Sequence, residues 1–270
     1  MEVNIAENIK KIQNRPVDSH KGSFGKLIAA TGSFFMPGAA VLSGKAALRC
    51  GLGLLQIATE KSAIPSISSN LPEATYLLRN AYEVLKRNPT AILIGCGMGV
   101  SQENEIFTKN ILENAKCSII LDADGITCAL SCIYLLKKTS KQVILTPHIG
   151  EFSRISGLDI DYINANRQQA AVDFARKYNV VLALKGDKTI VTDGEKVYVN
   201  TTGNVALAVG GTGDVLAGMV SAFVCQKLTP FDALCLAVYL HGKLADIWVE
   251  KNSKVTLLPT DLLDLLKDVI

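Results

Sequence analysis

A glycine-rich turn placed directly before an apolar helical pattern constrains this chain more than any other feature. Positions 210–214 read Gly-Gly-Thr-Gly-Asp, and the apolar side chains of residues 215–224 repeat at helical spacing. The turn therefore opens a buried helix, with Thr212 or Gly213 near its N-cap. Free N–H groups, the positive end of the helix dipole and the absence of glycine side chains all favour a bound phosphate.

The carboxylate of Asp214 is the unusual member of this turn. An anion-binding turn has no electrostatic use for a carboxylate unless the side chain acts on something other than the phosphate. We expect it to stay ionised near the helix N-terminus and to accept a proton from a hydroxyl group beside the phosphate. The alternative is that Asp214 only caps its own helix.

The composition is that of an ordinary α/β domain. Of the 270 residues, 49% are hydrophobic and 6% are aromatic, which suits a large core of small aliphatic side chains. The net charge is +3 and the lysines are scattered, so we expect no nucleic-acid partner. No apolar run reaches ~18 residues without a charge, and no signal peptide is recognisable, so we expect no membrane contact and a cytoplasmic location.

The seven cysteines are all interpreted as structural. Most of them lie in apolar runs, where a thiol behaves as a small hydrophobic side chain. Cys128 and Cys132 are one turn apart on a predicted helix, but no second pair or nearby histidine completes a zinc site. A reducing compartment is consistent with this pattern.

Short apolar runs alternate with helical patterns along the chain. The runs are residues 26–31, 91–95, 118–122, 142–146 and 180–185. Because they are uniformly apolar, they predict strands that are covered on both faces. Helical patterns at residues 39–50 and 161–178 lie between them, and this alternation is typical of a parallel sheet enclosed by helices.

A hairpin signal follows the parallel strands. Residues 189–192 and 196–199 flank an Asp-Gly pair, which predicts an antiparallel edge. Helices are then predicted at residues 214–251 and 260–269. We therefore predict an α/β fold with a mostly parallel central sheet, helices on both faces and an antiparallel edge hairpin, as a single domain over residues 1–270.

Polar side chains follow the predicted core strands at the edge where a parallel sheet binds its ligands. They fall in residues 95–97, 122–125, 146–151 and 185–189. Lys185 either contacts a nucleotide or ends its strand as a surface lysine. Glu151 either ligates Mg²⁺, directly or through water, or compensates the dipole in the first turn of a short helix. His148 either donates a hydrogen bond to substrate or is structural.

For four further polar residues the sequence offers a structural interpretation, which for two of them is one of two alternatives. Asp122 and Asp124 either organise the metal or cap the next helix. His20 and His241 lack a position at the strand ends, and we interpret both as structural.

Seven segments carry a family resemblance, in order along the chain: residues 20–25, 36–40, 71–75, 121–125, 145–152, 184–186 and 210–214. Together they resemble the ADP- or ATP-dependent NAD(P)H-hydrate dehydratases of the ribokinase-like superfamily. The resemblance covers essentially the whole chain and leaves no room for the epimerase domain that is fused to some members. Three positions depart from the family: Ile149 replaces a proline, Cys96 lies where Gly-Pro-Gly is common, and Val205 replaces a frequent proline or glycine.

The resemblance implies a repair reaction on NADH or NADPH that has gained water. In the family, ADP or ATP phosphorylates the hydroxyl group on C6 of the hydrated nicotinamide, phosphate leaves, and NAD(P)H is restored. Hydroxide is a poor leaving group, whereas phosphate is a good one. The lone pair of the ring nitrogen helps to expel the phosphate. Mg²⁺ is the implied cofactor, and a homotetramer is the implied assembly.

The resemblance also implies roles for the matching residues. Catalysis would use Asp214, which takes the hydroxyl proton, and the N–H groups at Gly213, which stabilise the transferring phosphoryl group. The adenine nucleotide would be bound by Lys185, Gly186, Asp187, Lys188, Thr189, Gly211, Thr212 and Gly213. The hydrated nicotinamide nucleotide would contact Ala39, Gly97, His148 and Asp214. Glu151 would help to place Mg²⁺.

Two other functions stay open. A ribokinase-like kinase of the hydroxyethylthiazole or hydroxymethylpyrimidine type shares the Gly-Thr-Gly-Asp turn and would release a stable phosphoester. A non-catalytic nucleotide-binding module would gain nothing from the Asp214 carboxylate. The Thr-Pro-His-x-Gly-Glu sequence at residues 146–151 favours the dehydratase.

Overall fold

A nine-stranded sheet forms the centre of the computed structural model, which describes residues 3–138 and 142–270. The strands are β1 (Lys26–Ala30), β2 (Leu54–Thr59), β3 (Thr75–Leu78), β4 (Ala91–Ile94), β5 (Ser118–Leu121), β6 (Val143–Leu145), β7 (Val180–Leu184), β8 (Ile190–Thr192) and β9 (Val197–Val199). Their order is β3-β2-β1-β4-β5-β6-β7-β8-β9. All neighbours are parallel as far as β7, whereas β7–β8 and β8–β9 are antiparallel. The predicted mostly parallel sheet with an edge hairpin is confirmed.

Helices cover both faces of this sheet. They are α1 (Ile5–Gln13), α2 (Pro37–Arg49), α3 (Ile64–Ser68), α4 (Ala81–Lys86), α5 (Gln102–Asn114), α6 (Asp124–Cys128), α7 (Tyr134–Lys138), α8 (Ile149–Ser156), α9 (Ile160–Ala165), α10 (Arg167–Tyr178), α11 (Thr212–Cys225), α12 (Pro230–Val249) and α13 (Pro259–Leu265). One core cluster joins α2, α11, α12 and α13 to the sheet, and a second joins α5, α8 and α10 to its other face. Within the described ranges, no helix combines the length and apolarity needed to cross a bilayer.

The register of the central strands brings their carboxyl ends to one level. Ile94 pairs with Leu121, and Leu121 pairs with Leu145. Strand β7 continues two residues beyond Leu182, the partner of Leu145. The residues that follow these strands therefore share one edge of the sheet, as the sequence predicted.

Helix α11 lies at the centre of one core cluster and packs closely on α2. A Cβ atom added to Gly218 would lie 2.1 Å from the carbonyl oxygen of Ser43, so only glycine allows this approach. Because α11 is held this tightly, the position of its N-terminus relative to the sheet edge is fixed by packing.

Several predicted boundaries were wrong. Strands β2 and β3 were not predicted, because Gln56 and the half-exposed residues of β3 interrupt their apolar patterns. The helix predicted at residues 161–178 is two helices, since Asn166 leaves helical geometry at φ −132° and ψ 32°. The helix predicted at residues 214–251 is also two, because Lys227 has a φ of 71° and the Thr229 side chain caps α12.

Candidate active site

A cavity of about 700 Å³ opens at the carboxyl edge of the sheet, beside the start of α11. Its lining includes nine of the predicted site residues: His148, Lys185, Gly186, Asp187, Lys188, Thr189, Gly211, Thr212 and Gly213. Further lining comes from the loop before α11 and from α12, including Asn200, Thr202, Asn204 and His241, which the sequence interpretation did not assign to the site. Tertiary packing alone brings α12 to this cavity.

The N-terminus of α11 faces this cavity without a side-chain cap. Its N-cap residue, Gly211, is in the left-handed region with a φ of 99°. The Thr212 hydroxyl donates to the carbonyl oxygens of Leu207 and Val209 at 2.9 and 3.0 Å, which holds the turn in shape. Among the described residues, no acceptor pairs with the N–H groups of Gly213 and Asp214. These groups are available to an anion.

A lysine lies directly beside this turn. A Cβ atom added to Gly213 would be 3.5 Å from the Lys185 Nζ atom. Lys185 donates to the Oδ1 atom of the buried Asp122 at 3.0 Å, and Thr146 donates to the same oxygen at 2.6 Å. Burial alone would lower the pKa of Lys185, but the charges of Asp122 and Glu151 outweigh it, and the pKa is raised. The lysine therefore stays charged.

The two acidic residues after β5 do not cap helix α6. The Asp122 carboxylate binds Lys185 and Thr146 instead. Asp124 accepts a hydrogen bond from the Gly99 N–H at 2.8 Å, and α6 has no side-chain cap at its N-cap residue. Asp122 thus orients the lysine and Asp124 holds the loop after β4, so neither carboxylate needs a metal to explain its position.

The expectation that Asp214 is ionised like an ordinary aspartate was wrong. Burial, and to a smaller extent the negative charge of Asp122, raise the pKa of its carboxyl group to about 7 against the opposing effects of Cys96 and Lys185. The buried surroundings outweigh the helix dipole here. Asp214 is therefore poised to gain or lose a proton near neutral pH.

Cys96 is buried, as its structural interpretation predicts, and it also lies beside the carboxylates of the site. Its Sγ atom lies 3.8 Å from the Asp122 Oδ2 atom. Side-chain ligand atoms of Cys96, Asp122 and Asp214 all lie within 4.8 Å of one another. The signal in the sequence was the position of this cysteine in the Gly-Cys-Gly turn directly after a core strand.

His148 and Glu151 form a complete capping box on α8. The Nδ1 atom of His148 accepts from the N–H groups of Gly150 and Glu151 at 3.0 and 3.3 Å. The Glu151 Oε2 atom accepts from the His148 N–H at 2.7 Å, and Oε1 lies 3.5 Å from His148 Nε2. One carboxylate oxygen is thus used by the cap. The other oxygen lies beside the His148 ring and Glu151 is buried, so a role of Glu151 at a metal ion stays a prediction.

Ala39 and Gly97 lie against each other, and neither is among the residues that line the cavity. A Cβ atom added to Gly97 would be 2.6 Å from the Ala39 Cβ atom and 3.0 Å from the Met36 carbonyl oxygen. Gly97 also has a φ of 59°. The sequence thus identified two residues that meet through tertiary contact.

The comparisons with known proteins agree with this geometry. A family model described as NAD(P)H-hydrate dehydratase matches residues 27–268. The chain belongs to this family. It is 39% identical to the ADP-dependent (S)-NAD(P)H-hydrate dehydratase of Bacillus subtilis (strain 168), over 96% of this chain and 93% of that protein. It is 35% identical to the bifunctional NAD(P)H-hydrate repair enzyme Nnr of Coxiella burnetii, over 93% of this chain and 51% of that protein.

Solved structures support the same family and confirm the ribokinase-like fold. A crystal structure of ADP/ATP-dependent NAD(P)H-hydrate dehydratase from Bacillus subtilis, co-crystallised with ATP and Mg²⁺, has a TM-score of 0.88 at 36% identity and covers 100% of this chain and 98% of its own. A ribokinase-like superfamily protein from Enterococcus faecalis has a TM-score of 0.83 at 27% identity over 97% and 93%. A hydroxyethylthiazole kinase from Pyrococcus horikoshii, at 0.67 and 18% identity over 98% and 92%, shares the fold alone.

One further histidine of this dehydratase-family chain supports the turn that opens α11. His241 is buried on α12, and its Nε2 atom lies 2.9 Å from the Thr212 carbonyl oxygen. Burial lowers the pKa of His241 to about 4, so the ring is neutral and Nε2 carries the proton that is donated to Thr212. The structural interpretation of His241 missed this contact, which depends on α12 packing beside α11. His20, by contrast, caps a short 3-10 helix by accepting from the Gly22 N–H.

Proposed function

We propose that this protein dehydrates (S)-NAD(P)H hydrate to NAD(P)H at the expense of ADP or ATP, through a phosphorylated intermediate. The observation that carries the proposal is the position of Asp214, whose pKa is about 7, on the uncapped N-terminus of α11. An acceptor for a hydroxyl proton and donors for a phosphate thus stand on one helical turn. The Bacillus subtilis relative carries the name of this activity.

The adenine nucleotide occupies the cavity with its terminal phosphates at the start of α11. Its binding residues are Lys185, Gly186, Asp187, Lys188, Thr189, Gly211, Thr212 and Gly213, which all line that space. The free N–H groups of α11 and the charge of Lys185 stabilise the transferring phosphoryl group, whose charge is spread over its outer oxygens. Asp122 keeps the lysine extended towards the turn.

Asp214 acts as the general base towards the C6 hydroxyl group of the substrate. A base is most effective when its pKa lies near the operating pH, and burial brings this carboxyl group there. Phosphoryl transfer proceeds through a loose transition state, so the proton moves late to Asp214. The nitrogen lone pair of the substrate ring then expels phosphate and forms an iminium ion. Loss of a proton from the neighbouring ring carbon C5 restores the double bond of the reduced nicotinamide.

The hydrated nicotinamide contacts Ala39, Gly97 and His148 as well as Asp214. At Gly97, the Ala39 side chain and the Met36 carbonyl oxygen fill the space that a Cβ atom would need, so this position requires glycine. Any larger residue there would displace Ala39.

Mg²⁺ is the cofactor of the proposed reaction, and Glu151 helps to hold it through a water molecule. When bound, the ion neutralises part of the polyphosphate charge. Glu151 is suited to this role because its charge already acts on Lys185 at the phosphate end of the cavity.

The proposal extends to the assembly and location of the protein. We propose a homotetramer in the cytoplasm, with residues 1–270 acting as a single domain. The opposing hypothesis, a hydroxyethylthiazole-type kinase, is not favoured, since the kinase of that name shares only the fold at 18% identity.

An absorbance assay tests the proposal. The protein is incubated with ADP or ATP, Mg²⁺ and NADH hydrate, and the recovery of the reduced-nicotinamide absorbance is followed together with phosphate release. Recovery with stoichiometric phosphate is the expected result. Accumulation of a stable phosphoester would identify a kinase, and no turnover with either nucleotide would leave a binding module. The Asp214→Asn variant serves as the inactive control.

A further inference from the structure

Three side chains that can ligate a metal ion converge beside the turn that opens α11. The Cys96 Sγ atom and a carboxylate oxygen from each of Asp122 and Asp214 all lie within 4.8 Å of one another. Cys96 and Asp122 are buried and Asp214 is half-buried, so the cluster opens towards solvent at Asp214. One sulfur and two oxygen atoms at this spacing are a ligand set that a soft divalent cation such as Zn²⁺ accepts.

The separation of the ligand atoms fits a tetrahedral ion. Cys96 Sγ lies 3.8 Å from Asp122 Oδ2, and a zinc ion with the usual bond lengths holds sulfur and oxygen roughly 3.5 Å apart. The Asp122 Oδ1 atom is already used, since it accepts hydrogen bonds from Lys185 and Thr146. Asp122 can therefore bind an ion through Oδ2 without releasing Lys185. Three protein ligands leave the fourth position of the ion to water.

The charges around the cluster balance when a divalent cation binds. A Cys96 thiolate and two carboxylates carry three negative charges, and Lys185 supplies one positive charge beside Asp122. A divalent ion brings this sum to zero. Burial raises the pKa of Cys96 well above its usual value, so the free thiol keeps its proton; coordination removes that proton, which passes to solvent. Because Mg²⁺ prefers oxygen ligands, the sulfur favours ions of the Zn²⁺ class over Mg²⁺.

A buried hydroxyl group without a partner lies next to this cluster. Thr31 is fully buried, and within residues 3–138 and 142–270 its Oγ1 atom has no hydrogen-bond partner. Leu27 and Ala29 of β1 pack in the core cluster that contains α11, and Thr31 follows them at the same two-residue spacing. The next N–H along the chain, that of Gly32, donates to the Cys96 carbonyl oxygen at 2.8 Å. A buried hydroxyl without a partner is unfavourable, and a water molecule held by a metal ion beside it would supply the missing hydrogen bond.

We propose that Cys96, Asp122 and Asp214 bind a soft divalent cation of the Zn²⁺ class and that this ion inhibits the protein. The binding site stands on the geometry of the three ligands and needs no assigned activity. The inhibition rests on the proposed function, because an ion bound to the Asp214 carboxylate prevents it from accepting the hydroxyl proton of the substrate.

Titration of the whole, metal-free protein with Cd²⁺ tests the site without any substrate. Cd²⁺ accepts the same ligands as Zn²⁺, and its bond to a thiolate absorbs in the ultraviolet. The wild type should gain this band until one Cd²⁺ is bound per chain. Cys96→Ser, which keeps a side chain of similar size, should lose the band and bind about 100-fold more weakly in competition with a metal-binding dye. The control Cys132→Ala removes a buried thiol from the other core cluster and should keep both the band and the affinity.

Asp214→Asn should keep the thiolate band but weaken Cd²⁺ binding, since it removes one charged ligand and leaves the sulfur. A wild type without the band, or a band of equal strength in Cys96→Ser, would overturn the inference. In the activity assay, Zn²⁺ added beside excess Mg²⁺ should inhibit the wild type, and Cys96→Ser should resist it; equal inhibition of the two would refute this route of inhibition. A Cys96-dependent band in a protein without dehydratase activity would overturn the proposed function and leave the metal site standing.

Discussion

Helices α8 and α11 begin at the same edge of the sheet, and each has a glycine at its second position and an acidic residue at its third. The N-terminus of α8 is capped by side chains, whereas that of α11 is not. The first three residues of α8 are Ile-Gly-Glu, and those of α11 are Thr-Gly-Asp. In α8, the His148 side chain and Glu151 satisfy the free N–H groups within the helix itself. In α11, Gly211 has no side chain that could cap the helix, and the N–H groups of Gly213 and Asp214 have no acceptor in the described part of the chain.

The difference shows what makes a helix N-terminus a ligand site. Glu151 is long enough to reach back to the N–H of His148, so that it completes a cap. Asp214 is one methylene shorter, and its carboxylate lies instead beside Asp122 and Cys96. An anion gains most where the chain leaves its own donors unsatisfied, and of these two helices α11 is the one that does so.

The largest expected effect distinguishes Asp214 from Glu151, the acidic residues at the third position of α11 and of α8. Asp214→Asn should lower kcat by ~10² or more, the usual scale for a positioned base, while nucleotide binding is largely kept. Glu151→Gln should lower it much less. Single-turnover kinetics and nucleotide titration measure both quantities, and near wild-type turnover by Asp214→Asn would refute the assignment of the base.

The same substitution should stabilise the protein. Because the pKa of Asp214 is raised to about 7, its ionisation destabilises the fold progressively as the pH rises from the unfolded value of 3.8 through 7. The gain in the free energy of unfolding for Asp214→Asn should therefore be small at pH 4 and reach on the order of 1–3 kcal/mol at pH 8. Denaturant unfolding at the two pH values measures it. A gain that is equal at both would contradict the raised pKa.

The pH dependence of activity should follow the same group. We expect kcat/KM to fall about tenfold per pH unit below an acid limb near 7, because protonated Asp214 cannot accept the hydroxyl proton. An ordinary aspartate would place this limb near ~4. A profile that is flat from pH 5 to 8 would show that the base ionises normally, as the sequence alone suggested.

A methyl group added at Gly213 should raise the stability of the protein while it weakens nucleotide binding. In Gly213→Ala the new Cβ atom would meet Lys185 Nζ at an ordinary 3.5 Å, so the fold accepts it. Alanine should raise the free energy of unfolding by about 0.5–1 kcal/mol, but it narrows the approach of the phosphate and should raise the nucleotide KM about tenfold. The control is Gly38→Ala in the first turn of α2, where the new Cβ atom meets nothing within 4 Å; it should leave the nucleotide KM unchanged.

The smallest effect concerns the cap of α8. Glu151→Ala removes the acceptor for the His148 N–H and should cost about 1 kcal/mol, whereas Glu151→Gln keeps an acceptor and should cost less. If Glu151 also holds Mg²⁺, both variants should raise the Mg²⁺ concentration needed for half-maximal activity. Thermal melting and a Mg²⁺ titration distinguish the two roles, and an unchanged Mg²⁺ requirement in Glu151→Gln would leave only the cap.

Local patterns were sufficient for much of the fold and for part of the site. Five uniformly apolar runs predicted the parallel strands that carry the site, and an Asp-Gly pair predicted the edge hairpin. Strands β2 and β3 were missed because Gln56 interrupts the apolar run of β2 and most side chains of β3 are exposed or half-buried. Lys185, Asp122 and Thr146 were placed correctly at the strand ends, but their mutual hydrogen bonds depend on register.

By itself, the amino-acid sequence determined the class of the sheet, the uncapped glycine turn and the family, because each depends on residues that are close along the chain. Only the tertiary structure decided how Asp214 ionises, what Cys96 contacts and why His241 lies at the site. Burial and charge–charge distances set a pKa, and both arise between strands and helices that are far apart in sequence.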